Sequence, residues 1–218
     1  MAHAVADLTE PETGADGSPK RRQVLEAAEK LFLAHGYGAV SMDAISRDAG
    51  VSKATLYAHF ASKDQLFATI VCDRGVSITM EETLFPEHVT DLRPVLEGIG
   101  QKVLRFMLRE RTLAIYRIAL AESSRFPELG RAFFDNGPQR FCTRVQAWLA
   151  KQQAAGLMRG CNIATATQQL MALLRSGVFL RVSLGLPPDP NDAEIDATVS
   201  AAVDTWLRAF GADATAAG

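Results

Sequence analysis

Little in this chain supports covalent or metallic cross-linking. It holds three cysteines, Cys72, Cys142 and Cys161, an odd and widely spaced set that suits neither a disulfide framework nor a zinc site. A reducing compartment fits such usage, and each thiol is expected as a small buried hydrophobe. The four histidines, at 3, 35, 59 and 88, are scattered. No run of ~20 apolar residues exists to cross a bilayer, and the acidic N-terminus lacks the apolar stretch of a signal peptide. These absences point to the cytoplasm, with no membrane partner and no metal. Signatures of catalysis are missing too: there is no P-loop, no G-x-S-x-G elbow and no H-E-x-x-H pair. Gly36-Tyr37-Gly38 is a fragment of a dinucleotide pattern, but it follows a helix and lacks the third glycine. Neither an enzyme nor a cofactor is expected.

Hydrophobic residues at 48% and charged residues at 22% describe an ordinary globular chain. Net charge is −2, but it is unevenly spread. Residues 1–19 carry Asp7, Glu10, Glu12 and Asp16. Residues 20–63 carry seven lysines and arginines against four acids, a net +3. A small basic module on a near-neutral body suits a local contact with a polyanion, although charge alone would equally describe a solvated helix face.

Residues 1–17 show no periodicity and read as a disordered tail. From Ser18-Pro19, a cap followed by a first-turn proline, apolar spacing is helical almost throughout. Val24, Ala28, Leu31 and Phe32 stripe a first helix ending at Gly36. A second runs from Ser41 to Gly50, a third follows Ser52, and a fourth opens at Ser62 with Gln65 behind it, reaching about Leu84. Beyond Asp91 come longer stripes: Leu113, Tyr116 and Leu120; Phe134, Phe141, Val145 and Trp148; Leu170, Leu174 and Val178; and Ile195, Val199, Val203, Trp206 and Phe210. Loops fall at Phe85-Pro86, 156–161 and Leu186-Pro187-Pro188. The expected fold is all-α with about nine helices.

The stretch Ser41–Phe60 is the most specific. Gly50 permits a left-handed turn, Val51 plugs it, Ser52 caps the next helix, and Leu56 points back toward Ile45 and Val51. Two short helices so joined form a helix-turn-helix. Lys53, Thr55 and Tyr57 fall away from Leu56, with His59 following. Such side chains reach base edges or phosphates, and a helix N-terminus adds positive potential. Lys63 opens the next helix, placed to hold a DNA backbone. Lys20, Arg21 and Arg22 sit before the first helix as a basic arm that could reach a flanking groove. A helical scaffold that reads no DNA is the bland alternative.

The run from Ala27 to Phe67 resembles the DNA-binding domain of TetR-type repressors, through Ala28, Phe32, Gly36-Tyr37, Ile45, Ala49-Gly50-Val51-Ser52, Leu56 to Phe60 and Ser62 to Leu66. The resemblance implies a three-helix reader over 18–66 and a helical effector-binding and dimerisation domain over 67–218. It implies that Ser41, Lys53, Thr55, Tyr57, His59 and Lys63 face DNA, with Ser52 as the cap beside them. Tyr116-Arg117, Glu122, Phe126 to Leu129, Phe133-Phe134 and Gly156 to Met158 also resemble the AefR-type subgroup.

One reading helix covers few base pairs, so a homodimer spanning a palindromic operator in double-stranded DNA is expected. Its interface is expected on Leu174, Val178, Val182, Ile195, Val199, Val203 and Trp206, with Ser176, Gly177 and Ser183 allowing close approach; a protomer core is the alternative for those stripes. A small apolar or aromatic effector is expected among Phe106, Met107, Tyr116, Phe133, Phe134, Phe141, Trp148, Met171 and Phe179, with Arg117, Glu122 and Arg175 as polar anchors. Effector binding would shift the fourth helix and release DNA. Residue chemistry leaves repressor and activator unseparated.

Overall fold

The computed structural model describes residues 18–79 and 84–212; the expected tail over 1–17 and the far end expected for the fourth helix lie outside the described residues. Among the described residues eleven helices follow in order: α1 (Pro19–His35), α2 (Met42–Asp48), α3 (Lys53–His59), α4 (Lys63–Thr79), α5 (Leu92–Met107), α6 (Glu110–Glu122), α7 (Pro127–Asn136), α8 (Pro138–Ala154), α9 (Ile163–Leu174), α10 (Val178–Ser183) and α11 (Asp192–Phe210). The described residues contain no strand, only a lone bridge between Met158 and Gly211. The all-α expectation holds. The helices outnumber the expected nine because two apolar stripes that read as continuous are broken. Pro138 lacks an N–H and restarts the chain as the first residue of α8 after Gly137. Gly177, at φ 55°, separates α9 from α10.

Serines start the first helices. Ser18, Ser41 and Ser52 accept the amide protons of Arg21, Ala44 and Thr55 at 3.2, 3.1 and 3.1 Å, which satisfies donors that the first turn leaves open. Ser62 caps α4 in the same way through Gln65 N at 3.1 Å, and the Gln65 side chain reaches back one residue further than a capping box, to Ala61 N.

Two apolar cores result. The smaller joins Val24, Phe32, Tyr37, Ile45, Leu56, Phe60, Leu66 and Phe67 to Ile115, Ala119 and Leu129 of α6 and α7. The three-helix head is therefore not a free bead: α4, α6 and α7 continue its core. The larger core is built by α5, α8, α9, α10 and α11.

This larger core corrects the expected dimer face. Leu174, Val178, Ile195, Val199, Val203 and Trp206 are buried within one protomer, and Val182 is partly buried against the same core. The reason is α5. A Cβ at Gly100 would lie 2.7 Å from Val199 Cγ1 and 3.0 Å from Leu174 Cδ2, so the missing side chain lets α5 take up the apolar stripes. The Trp206 indole N–H donates to the Ala166 carbonyl at 2.7 Å, fixing it inside the fold.

Candidate nucleic-acid interface and effector cavity

The turn between α2 and α3 closes through paired hydrogen bonds. Val51 N donates to Ser46 O at 3.0 Å, Gly50 N donates to Arg47 O at 3.2 Å, and Gly50 sits at φ 62°, a conformation L side chains resist. Ile45 and Leu56 are fully buried, with Val51 packed against them. Burying Leu56 turns the other side of α3 outward. Tyr57 is 50% exposed; Lys53 is exposed, and Thr55 and His59 are half-buried on the rim. Tyr57 therefore presents its ring and hydroxyl on the same outward surface as Lys53.

Charge placement is uneconomical for an isolated protein. Lys20, Arg21 and Arg22 occupy the first turn of α1, which holds no acid, and Lys53 opens α3, whose first turn also has none. Cations at a helix N-terminus oppose the macrodipole by roughly 0.3–1 kcal/mol each, a cost that a polyanion would reverse. The expectation of a basic arm ahead of the first helix is corrected here: the three residues are helical. Pro19 and the Ser18 cap start α1 before them, and Arg21 lies 5.4 Å over the Phe60 ring. Lys53 Nζ pairs with Asp43 at 2.6 Å across the two helices. Ser52 Oγ also lies 2.8 Å from Thr55 Oγ1.

Lys63 differs from its expected role. Its ammonium donates to the Tyr37 and Val40 carbonyls at 2.7 and 2.9 Å and lies 4.1 Å from the Tyr37 ring centroid. Burial pulls it below the ordinary lysine range, with Asp64 and Glu122 opposing that shift. It ties α4 to the loop after α1 instead of reaching outward. Tyr37 itself is buried between Phe32, Phe67 and Phe126. Its hydroxyl donates to Asp64, and burial, reinforced by that carboxylate, raises its pKa.

Glu122 was expected as an effector anchor and is corrected as well. At the end of α6 its two carboxylate oxygens accept Tyr37 N and Gly38 N, both at 2.6 Å. A Cβ at Gly38 would sit 2.7 Å from Glu122 Oε2. The glycine fragment dismissed as a nucleotide loop is thus an anion cradle whose anion belongs to the chain. Arg117 is likewise engaged elsewhere, donating to the Ser183 and Val182 carbonyls at 2.8 Å.

A cavity of about 390 Å³ opens among helices α4 to α10, within the ordinary range for small-molecule sites. Phe106, Met107, Tyr116, Phe134, Phe141, Met171 and Arg175 line it, as do Phe133 and Phe179. Trp148 does not: its indole N–H donates to the Pro86 carbonyl at 3.0 Å, deep in the larger core. Leu120 and Phe134, 61% and 54% exposed, mark the rim. Sequence reasoning missed the floor, where α4 contributes Val71 and Cys72. It also missed Arg111, a lining residue whose guanidinium holds Glu29 of α1 at 2.7 Å. A glutamate on the buried flank of α1 was the available signal, since such a carboxylate calls for a cation. Cys72 and Cys142 line the cavity half-buried, and Cys142 and Cys161 also pack against the larger core as partly buried hydrophobes.

Among the described residues no group of three or more histidines, cysteines or acids could hold a metal ion, and no helix is long and apolar enough to cross a membrane.

Comparison with known proteins adds the following. Residues 24–70 match the tetR family of bacterial regulatory proteins, and residues 94–212 match the C-terminal domain of AefR-like transcriptional repressors. The Flavonoid-responsive Regulator FrrA superposes with a TM-score of 0.75 at 33% identity, covering 88% of this chain and 97% of that one. A TetR-family regulator from Mesorhizobium loti gives 0.76 at 25% identity, covering 88% and 96%. An uncharacterised helix-turn-helix regulator of Mycobacterium tuberculosis is 26% identical over 94% of both chains. The activator FasR of Mycolicibacterium smegmatis is 46% identical over 52 residues, so the match spans 24% of its length.

Proposed function

The chain belongs to the TetR family of bacterial transcriptional regulators, with an AefR-like C-terminal domain, and we propose that it acts as a dimeric repressor released from a palindromic operator by a small aromatic effector. Family members are regulators, not enzymes. One observation carries the reading: Leu56 is buried while Tyr57, on the same short helix, is half exposed beside Lys53 and the cationic first turn of α1. That surface suits the major groove, with Tyr57 and Lys53 on phosphates and Thr55 and His59 toward base edges. Ser41 and Ser52 hold the two helix starts at the surface.

The dimer face proposed in place of the buried stripes is the outer side of α9 to α11. Ala193, Ala197, Ala201 and Thr205 repeat every four residues and are all exposed, and Leu180 and Leu184 are 59% and 65% exposed beside them. Small residues at that spacing allow two helices to approach closely. Reading a palindrome requires that pairing across this face set two copies of α3 about one DNA turn, ~34 Å, apart.

The aromatic-lined cavity supports an effector site, and the name of FrrA supports an aromatic class. The AefR-like match favours repression, whereas the FasR match over the reading domain favours activation as a second reading. A footprint on the DNA upstream of the chain's own gene, with a reporter in the presence and absence of the protein, tests both. A protected palindrome with lowered transcription is the expected result. Raised transcription selects the activator, and no salt-dependent protection refutes DNA reading altogether.

A further inference from the structure

The cavity lining has an uneven charge. Among the described residues it includes Arg111, Arg140 and Arg175 and no aspartate or glutamate, in a chain whose net charge is −2. The three arginines are not equivalent. Arg111 is engaged with Glu29 at 2.7 Å, so its charge is already met. Arg140, on α8, donates to the Cys72 sulfur at 3.0 Å. Arg175, the C-cap of α9, lines the same cavity as Cys142. Neither Arg140 nor Arg175 has a carboxylate partner among the described residues. A thiol is a weak acceptor and both arginines are exposed, so two guanidinium-bearing residues border the cavity open to a stronger acceptor. Six aromatic side chains, Phe106, Tyr116, Phe133, Phe134, Phe141 and Phe179, also line it.

We infer that the cavity takes an aromatic anion, a planar ring system bearing a carboxylate or an ionised phenol, with its negative oxygen held by Arg140 and Arg175. The rings of the wall offer stacking and edge contacts to such a body, and guanidinium groups match a carboxylate bidentately. A neutral aromatic of equal size fills the same space but offers neither guanidinium a charged acceptor. This inference rests on the reading of the cavity as the effector site and adds the charge of the ligand to it.

A matched pair of fluorescent probes separates the two. Anilinonaphthalene sulfonate and phenylnaphthylamine share one aromatic skeleton and differ in the anionic group. With the wild-type protein the sulfonate should bind about tenfold or more tightly than the neutral amine. In Arg140→Gln/Arg175→Gln the ratio of the two affinities should fall to about one, and Arg175→Lys should retain much of it. Because the ratio is taken on one preparation, a partly unfolded variant does not mimic the result. Tight binding of the amine with no advantage for the sulfonate, or an advantage that survives in the double variant, overturns the anion inference and leaves the cavity as an effector site. Binding of neither probe overturns both.

Discussion

Arg111 in the cavity wall holds Glu29 of α1 at 2.7 Å, with the glutamate side chain 4% exposed and the arginine 59%. One residue therefore touches both the space where an effector would sit and the first helix of the reading head. Removing the cation from a buried carboxylate costs about 1–3 kcal/mol, at the lower end here because Arg111 is well exposed. Arg111→Ala should lower the melting temperature by a few degrees, and Arg111→Ala/Glu29→Gln should recover most of the loss. A double-mutant cycle reads this directly; additive effects would show that the pair couples nothing. Operator affinity should also change in Arg111→Ala, although the residue lies on the cavity and not on the reading face.

The second link between the domains is the Glu122 clasp on Tyr37 N and Gly38 N. Charge-assisted bonds of this length are stronger than neutral ones. Glu122→Gln keeps a single acceptor oxygen for two amides and should destabilise by about 1–3 kcal/mol. Gly38→Ala would drive a methyl to 2.7 Å from Glu122 Oε2 and 3.0 Å from Phe126. Its cost should be smaller in a Glu122→Ala background, where the carboxylate has gone. Chemical denaturation of the four proteins decides this: equal costs in both backgrounds would locate the strain at Phe126 instead.

Much of this architecture was legible in the chain because helical periodicity and serine caps are local signals. The helix-turn-helix followed from Gly50, Ile45 and Leu56, which lie within a dozen residues of one another. Eight of the nine residues expected around the effector, all but Trp148, border the cavity, as does Arg175 of the three expected anchors. Partnering between distant elements was not legible. A stripe such as Val199, Val203 and Trp206 says that a helix has an apolar face, not whether α5 or a second protomer covers it. Gly100, some hundred residues away, decides that. Glu122 and Arg117 looked like ligand anchors for the same reason: their partners, Tyr37 and Ser183, lie 85 and 66 residues away.

Tyr57 is the sharpest probe of the reading face. Its exposure means that Tyr57→Phe should leave the unfolding free energy within about 0.5 kcal/mol of wild type. If its hydroxyl contacts a phosphate, the same change should weaken operator binding about tenfold, the value of one hydrogen bond to a charged group. Gel-shift titration at fixed salt reads the second effect and thermal melting the first. Unaltered operator affinity would remove Tyr57 from the contact surface.

Lys63 should behave in the opposite way. With its ammonium on the Tyr37 and Val40 carbonyls, Lys63→Met should cost about 1–3 kcal/mol of stability, since two partly buried acceptors lose a charged donor. The dependence of operator binding on salt should keep its slope. A slope reduced by about one unit would instead put the remaining N–H on a phosphate.

Cys142 reports on the charge within the cavity. Burial raises its thiol pKa while Arg175 pulls it back down. The thiolate is the reactive form, so removing the guanidinium should raise the pKa further and leave less thiolate at neutral pH. Arg175→Gln should therefore slow alkylation of Cys142 by iodoacetamide and move the rise of its rate to higher pH, with Arg175→Lys close to wild type. Peptide mapping separates Cys142 from Cys72 and Cys161. Cys161 serves as the internal reference, because it does not line the cavity. If the rate at Cys142 stays in step with that at Cys161 in all three proteins, Arg175 does not set the potential there. If only Cys142 slows, the arginine charge is felt inside the cavity, where an anionic ligand would meet it.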